Sequence, residues 1–179
     1  MSQTKVVTGK VRFSYANVWS PTSIEEGQTK KYNVSLLIPK ADTTTLDKIK
    51  EAVDAACADF KSKNNGKLPK NFKLPLRDGD EEREDDDAYV GHFFVNASSL
   101  KQPLVLDADK EEILDKDDFY SGCYGRAVIN FYFYDKAGNK GVAVGLNAVM
   151  KLKDGEPLGG AAASAEDFED DFEDDDLMG

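Results

Sequence analysis

Arg126, Asn130, Tyr132 and Tyr134 fall on even positions of one short segment, while Ile129, Phe131 and Phe133 take the odd ones. In an extended chain successive side chains point to opposite faces, so this period of two separates an apolar face from one bearing a cation, an amide and two phenols. The second face has the chemistry of a stacking platform. Unpaired bases stack on aromatic rings at roughly 1–3 kcal/mol per base while Arg and Lys follow the phosphates, with no readout of base edges. The structural alternative packs one or both tyrosines under a helix or a second sheet, leaving a hydroxyl at the edge. Lys10, Arg12 and Lys31 lie on polar faces of extended segments expected in the same sheet, which favours stacking. Tyr15 and Trp19 flank the turn expected after the first strand, where an aromatic can cap a base. Lys40 and Arg77 border a helix and a long loop as candidate phosphate contacts.

Catalytic readings find less support. A nucleophile–histidine pair would have to use His92, the single histidine, whose neighbours Phe93 and Phe94 point to a partly buried ring; no Gly-x-Ser-x-Gly elbow is present. No Gly-x-x-x-x-Gly-Lys-[Ser/Thr] loop is there to cradle a nucleotide. Asp107, Asp109 and Glu111 occupy the first, third and fifth positions of a calcium loop with Asp118 at the twelfth, but Glu112 stands where that loop needs glycine. The acids of residues 78–87 offer a rival reading as a metal-dependent nuclease, although consecutive carboxylates on a loop lack the fixed geometry of two-metal chemistry. Cys57 and Cys123 with one histidine cannot complete a four-ligand zinc site, and both are expected to be reduced and structural. The reading therefore assigns no catalytic residue, no metal and no cofactor.

Charge is segregated along the chain. The whole carries 23 Lys+Arg against 34 Asp+Glu, a formal net charge of −11, yet residues 1–77 alone are net basic. The run 78–87 holds eight acids around the lone Arg83, and residues 166–179 hold nine acids and no base. Within that tail Phe168 and Phe172 stand four apart among carboxylates, followed by Asp174, Asp175, Asp176 and Leu177. Such a segment buries too little apolar surface to fold and is expected to be disordered. Its format suits docking to a basic, apolar-lined groove on a partner, and a flexible tether would let it compete for the protein's own basic face. A protein-only adaptor acting through this tail is the second rival reading.

These groups need a scaffold. The alternation Val7, Val11, Phe13 and Tyr15 against Lys10, Arg12 and Ser14 predicts a half-buried first strand. Residues 31–38 repeat the pattern, with Tyr32, Val34, Leu36 and Ile38 inward and Lys31, Asn33 and Ser35 outward. Asp42 or Thr43 can cap a helix in which Leu46, Ile49, Val53, Ala56, Cys57 and Phe60 recur at three- and four-residue spacing, ended by Asn64-Asn65-Gly66. Residues 67–87 read as a long surface loop. Strands are expected at 89–97 and near 104–106, one helical turn within 107–118, and a long hairpin from 126–134 and 142–151 around a Gly- and Asn-bearing turn. The fold class is thus mostly β, an OB-like antiparallel barrel of five or six strands with one main α-helix and a disordered acidic tail; a β-sandwich is the alternative. Residues 1–157 form one domain, and 158–179 a linker and tail. No stretch approaches a membrane span and no secretory signal opens the chain, so the expected location is the cytoplasm.

Gly9 to Val18, Pro75-Leu76-Arg77-Asp78-Gly79-Asp80, Tyr120-Ser121-Gly122-Cys123-Tyr124, Lys140 to Asn147 and the tail from Phe168 to Gly179 together resemble the phage-encoded single-stranded DNA-binding proteins. The resemblance spans nearly the whole chain. It implies an OB fold that coats and protects single-stranded DNA without strong sequence preference during replication, recombination and repair. It also implies an acidic tail that contacts replication proteins such as DNA polymerase or helicase, in the cytoplasm of a host cell. Tails of that family often finish on an aromatic, whereas this one finishes Leu177-Met178-Gly179. Homodimerisation is left open by the sequence.

Overall fold

A computed structural model of the chain describes residues 4–23, 27, 29–136 and 139–158. The strands are β1 (Lys5–Val7), β2 (Val11–Thr22), β3 (Lys31–Pro39), β4 (Arg77–Asp78), β5 (His92–Ser99), β6 (Leu104–Leu106), β7 (Tyr124–Lys136) and β8 (Asn139–Lys153). Between them lie α1 (Thr43–Lys63) and the single turn α2 (Gly79–Glu82). The five long strands close on themselves: β2 pairs with β3, β3 with β5, β5 with β8, β8 with β7, and β7 with β2. This is the expected OB-type barrel with one main helix. It departs from the expectation in strand sense and number. β5 and β6 each run parallel to β8, and the short strands β1, β4 and β6 join as additions.

Apolar alternation fills the barrel. Val11, Phe13, Val34, Leu36, Ile38, Ile129, Phe131, Val144 and Leu146 are all buried. α1 begins where the Asp42 carboxylate accepts from the Thr45 backbone N–H at 3.1 Å and from its hydroxyl at 2.7 Å. It lays Leu46, Ile49, Ala52, Ala56, Cys57 and Phe60 against β7 and β1. Phe133, on the face opposite Tyr132, meets Phe60 edge-on with centroids 5.5 Å apart.

Four local expectations change. The first strand is interrupted at residues 8–10, where Thr8 Oγ1 accepts from Ala127 N and Gly9 N donates to Thr45 Oγ1. That break resets the parity, so Val6 is buried and Val7 exposed. β2 then runs on past Tyr15 to Thr22 without the turn expected there. β3 buries both its faces, Ser35 and Leu37 included, because the segment after α2 folds back over it. Leu37, Tyr89 and Phe94 form a second small core outside the barrel, in which the Tyr89 hydroxyl lies 3.2 Å from both Ser14 Oγ and Ser35 Oγ. Tyr89 belongs to a 3-10 turn (Asp87–Tyr89), and the strand expected from residue 89 starts only at His92, after Gly91 at φ +77°. The fold-back requires glycine at position 79, where a Cβ would stand 2.3 Å from the Tyr89 carbonyl oxygen.

Candidate functional site

A bulge in β2 places the first aromatic. The β2–β3 register shifts between Ser14 and Asn17, and Tyr15 takes the left-handed backbone at φ 48°. A non-glycine residue there costs of order 1–3 kcal/mol and persists only where the surrounding structure imposes it. The distortion turns the ring out of the barrel, leaving it 44% exposed. It faces a cavity of about 1070 Å³ that Asn17, Lys31, Asn33, Asn96, Ser98 and Arg83 also border. A neighbouring cavity of about 300 Å³ shares Lys31, Ser98 and Leu100, and continues to Lys101, Asn130 and Tyr132. The two make one trough over the outer surface of β2, β3 and β5 that ends on the β7–β8 hairpin.

The trough is polar underneath and cationic along its sides. Asn17 Nδ2 donates to Asn33 Oδ1 at 2.9 Å, and Asn33 Nδ2 donates to Thr22 Oγ1 and the Lys31 carbonyl, both at 3.0 Å. This chain of amides holds the floor in one arrangement. Lys31, Arg83, Lys101 and Lys136 border the trough, and none of them makes an ion pair among the described residues. Arg83 comes from the acidic segment, its guanidinium 5.8 Å from the Tyr15 ring centroid, 5.4 Å from Tyr89 and 5.9 Å from Phe94. Tyr15 at one end and Tyr132, 43% exposed, at the other present rings between which the free cations are spaced.

Of the residues singled out in the sequence, Tyr15, Lys31, Asn130 and Tyr132 meet in this trough. The others lie elsewhere. Lys10 and Arg12 gather around Tyr124, Arg126 donates through Nε to the Thr8 carbonyl at 2.7 Å, and Trp19 packs on the core with Nε1 donating to the Phe119 carbonyl. Tyr134 is half-buried beside Gly141. Arg77 pairs with Glu82. Phe168, Phe172, Asp174, Asp175, Asp176 and Leu177 lie outside the described residues, as does the centre of the hairpin turn. The trough also contains groups that sequence reasoning passed over: Arg83, Lys101, Lys136 and the Asn17–Asn33 pair. The one available signal for Arg83 was its isolation as the only base among eight acids.

Lys40 is held within the fold-back. Its ammonium lies 2.8 Å from both Asp78 Oδ1 and Asp80 Oδ2, and Asp80 also accepts from Gly91 N. These two carboxylates, central to a nuclease reading, are thus engaged as a clasp. Among the described residues no three His, Cys, Asp or Glu side chains converge to hold a metal ion. The Lys40 hydrogen bond, then the Gly91 N–H, holds the Asp80 carboxyl below its ordinary 3.8. Asp78 and then Asp80 raise Lys40 above 10.5. A depressed carboxyl contributes stability that is complete above its unfolded value and is lost as pH falls through the folded one. A raised ammonium contributes below its unfolded value and loses that as pH rises through the folded one. Asp80→Asn is therefore expected to lower the melting temperature at pH 7, with the deficit shrinking below pH 3.8. Melts across that range check it, and an equal deficit at both ends would remove the clasp from the account.

The end of the described chain is strapped down. The Tyr120 hydroxyl donates to Asp154 Oδ1 at 2.9 Å, Arg12 Nη2 to the Glu156 carbonyl at 2.7 Å, and Leu158 N to the Ser121 carbonyl at 3.0 Å. Leu158 thereby borders a shallow cavity it shares with residues 81–88, Arg83 among them.

Known proteins share this fold. The family model described as Enterobacter phage Enc34, ssDNA-binding protein, matches residues 4–178. A protein designated p50 from Acyrthosiphon pisum secondary endosymbiont phage 1 is 32% identical over 174 residues, 93% of each chain. Among solved structures, the single-stranded DNA-binding protein from bacteriophage Enc34 in complex with ssDNA superposes with a TM-score of 0.77 at 27% identity, covering 87% of this chain and 89% of that one. The single-stranded DNA-binding protein gp2.5 of bacteriophage T7 shares the fold, with a TM-score of 0.61 at 16% identity over 93% of each chain.

Proposed function

This chain belongs to the family of phage single-stranded DNA-binding proteins typified by that of Enterobacter phage Enc34, and from that membership we propose that it holds single-stranded DNA in the trough between Tyr15 and Tyr132. The observation that carries the reading is the run of unpaired Lys31, Arg83 and Lys101 between two exposed rings over an amide floor. Phosphates take the cations, and bases stack on the rings, whose faces suit every base equally. Duplex DNA keeps its bases stacked on one another, so only the unpaired strand engages the aromatics. The asparagine amides can meet base edges but impose no fixed code. Titrating a labelled oligonucleotide across a salt series tests this: log affinity should fall linearly with log salt, with a slope of about 0.7 per neutralised phosphate. Salt-independent retention, or none, would end it.

In this reading residues 1–157 are the binding domain and 158–179 the linker and tail. The protein coats and protects exposed template during replication, recombination and repair in the host cytoplasm. The tail, through Phe168, Phe172, Asp174, Asp175, Asp176 and Leu177, recruits replication proteins such as polymerase or helicase and competes with DNA. Leu158 shares a cavity with Arg83 and with the acids of residues 81–87, so in this reading the linker brings the polyanion within reach of Arg83 at high effective concentration, against the repulsion of those acids. Removing residues 166–179 should tighten DNA binding on the order of tenfold at low salt, the gap narrowing as salt screens the tail. Unchanged affinity after truncation would remove the competition.

A further inference from the structure

Away from the trough, Lys10 Nζ, Arg12 Cζ and Lys153 Nζ lie 5.8, 5.3 and 5.9 Å from the centroid of the Tyr124 ring. Three like charges so gathered repel one another, and none makes an ion pair among the described residues. Attraction to the ring compensates only in part at an exposed site. The fold holds them there. Arg12 stands opposite Tyr124 in the β2–β7 pairing and Tyr124 opposite Lys153 in the β7–β8 pairing, so Arg12, Tyr124 and Lys153 project from one face, which Lys10 joins from the residue before β2. Arg12 is pinned by its bonds to the Gly122 and Glu156 carbonyls. The Tyr124 ring is set against Gly155, where a Cβ would stand 2.7 Å from a ring carbon.

The same face leads to the trough. Burial alternates in β7 from Tyr124 to Tyr132, with β8 bulging opposite Tyr124–Gly125 and Val128–Ile129, so Tyr124, Arg126, Val128, Asn130 and Tyr132 share one side of the strand. Eight residues at about 3.3 Å each put the Tyr124 cluster roughly 26 Å from Tyr132, with Arg126 between them.

We propose that Lys10, Arg12 and Lys153 form a second phosphate-binding site, which takes the stretch of DNA that leaves the trough past Tyr132 and runs along the outside of β7. The inference rests on the trough reading above. Cations crowd the Tyr124 ring, so the patch offers charge rather than a stacking surface, and it grips the backbone of the strand rather than its bases. Continuity with the trough along β7 favours the same DNA strand over an acidic peptide as occupant.

The test uses the full chain and two labelled oligonucleotides of about 6 and about 16 nucleotides, within the span one OB fold covers. The variant is Lys10→Gln with Lys153→Gln; Arg12 is spared because it also secures the Gly122 and Glu156 carbonyls. Expected is affinity for the shorter strand within about twofold of wild type, and about tenfold weaker binding of the longer one. The salt slope for the longer strand should drop by about 1.4, from two phosphates no longer neutralised. Lys10→Arg with Lys153→Arg should restore it. Equal effects on both strands, or none on the longer, in a variant that melts normally would overturn the proposal. So would a variant that binds both strands normally but loses a synthetic peptide of residues 166–179, which would assign the patch to acidic peptides. Failure of the wild-type protein to bind even the shorter strand would overturn the trough reading and the patch with it, a result distinct from the others.

Discussion

Replacing Tyr15 and Tyr132 together by alanine is expected to weaken single-stranded DNA binding by about 30-fold or more while leaving the fold intact. Each ring supplies a stacking surface for one base at roughly 1–3 kcal/mol, so the pair accounts for at least about 2 kcal/mol of binding free energy. Both lie outside the buried core, at 44% and 43% exposure, so their removal takes little from it. Tyr15→Phe with Tyr132→Phe keeps the π-faces and should bind close to wild type, which separates stacking from any contact of the hydroxyls. Fluorescence anisotropy at two salt concentrations measures the change. The salt slope should change by less than one phosphate, about 0.7, because Lys31 and Lys101 are untouched and Arg83 loses only one of its three ring contacts. A folded double-alanine variant with wild-type affinity would take the rings out of the interface.

Tyr89→Ala is expected to cause the largest loss of stability. Tyr89 is fully buried in the small outer core, edge-on to Phe94 at 5.0 Å, with its hydroxyl between Ser14 and Ser35. Large aromatic-to-alanine changes in a core cost about 3–5 kcal/mol, which in a chain of this size lowers the melting temperature by roughly 10 °C. Binding should weaken as well, because Tyr89 is one of the three rings on which Arg83 rests beside the trough. Tyr89→Phe keeps the packing and gives up the hydroxyl contacts, at about 1 kcal/mol. Thermal melts of the two variants separate packing from hydrogen bonding. Near-wild-type melting of the alanine variant would mean that the fold-back of residues 79–91 is not held by this core.

The patterns that reach furthest from sequence alone are those in which one period decides one outcome. α1 follows from Leu46, Ile49, Ala56 and Phe60 at helical spacing behind an Asp42 cap. The β7–β8 hairpin follows from strict alternation around a turn, and the sorting of Tyr132 from Phe133 holds in three dimensions. The resemblance carried in segments such as Gly9 to Val18 agrees with the family match.

A period of two separates two faces but does not say what covers each. Ser35 reads as the outside of β3, yet it and Leu37 on the same face are buried, because a segment more than forty residues later returns over them. Tyr15 reads as inward by alternation, and a single bulge turns it out. Charge is subject to the same limit. Lys31, Lys40 and Arg77 are alike in the sequence, but Asp78, Asp80 and Glu82 claim the last two, while Arg83 from within the acidic run reaches the trough unpaired. Strand and helix periods are written into neighbouring residues, so the chain alone specified the barrel's strands, its helix and the segregation of its acids. Whether a cation stays free for a phosphate, or a ring is open to a base, depends on partners brought from distant positions, and only the folded arrangement decided that.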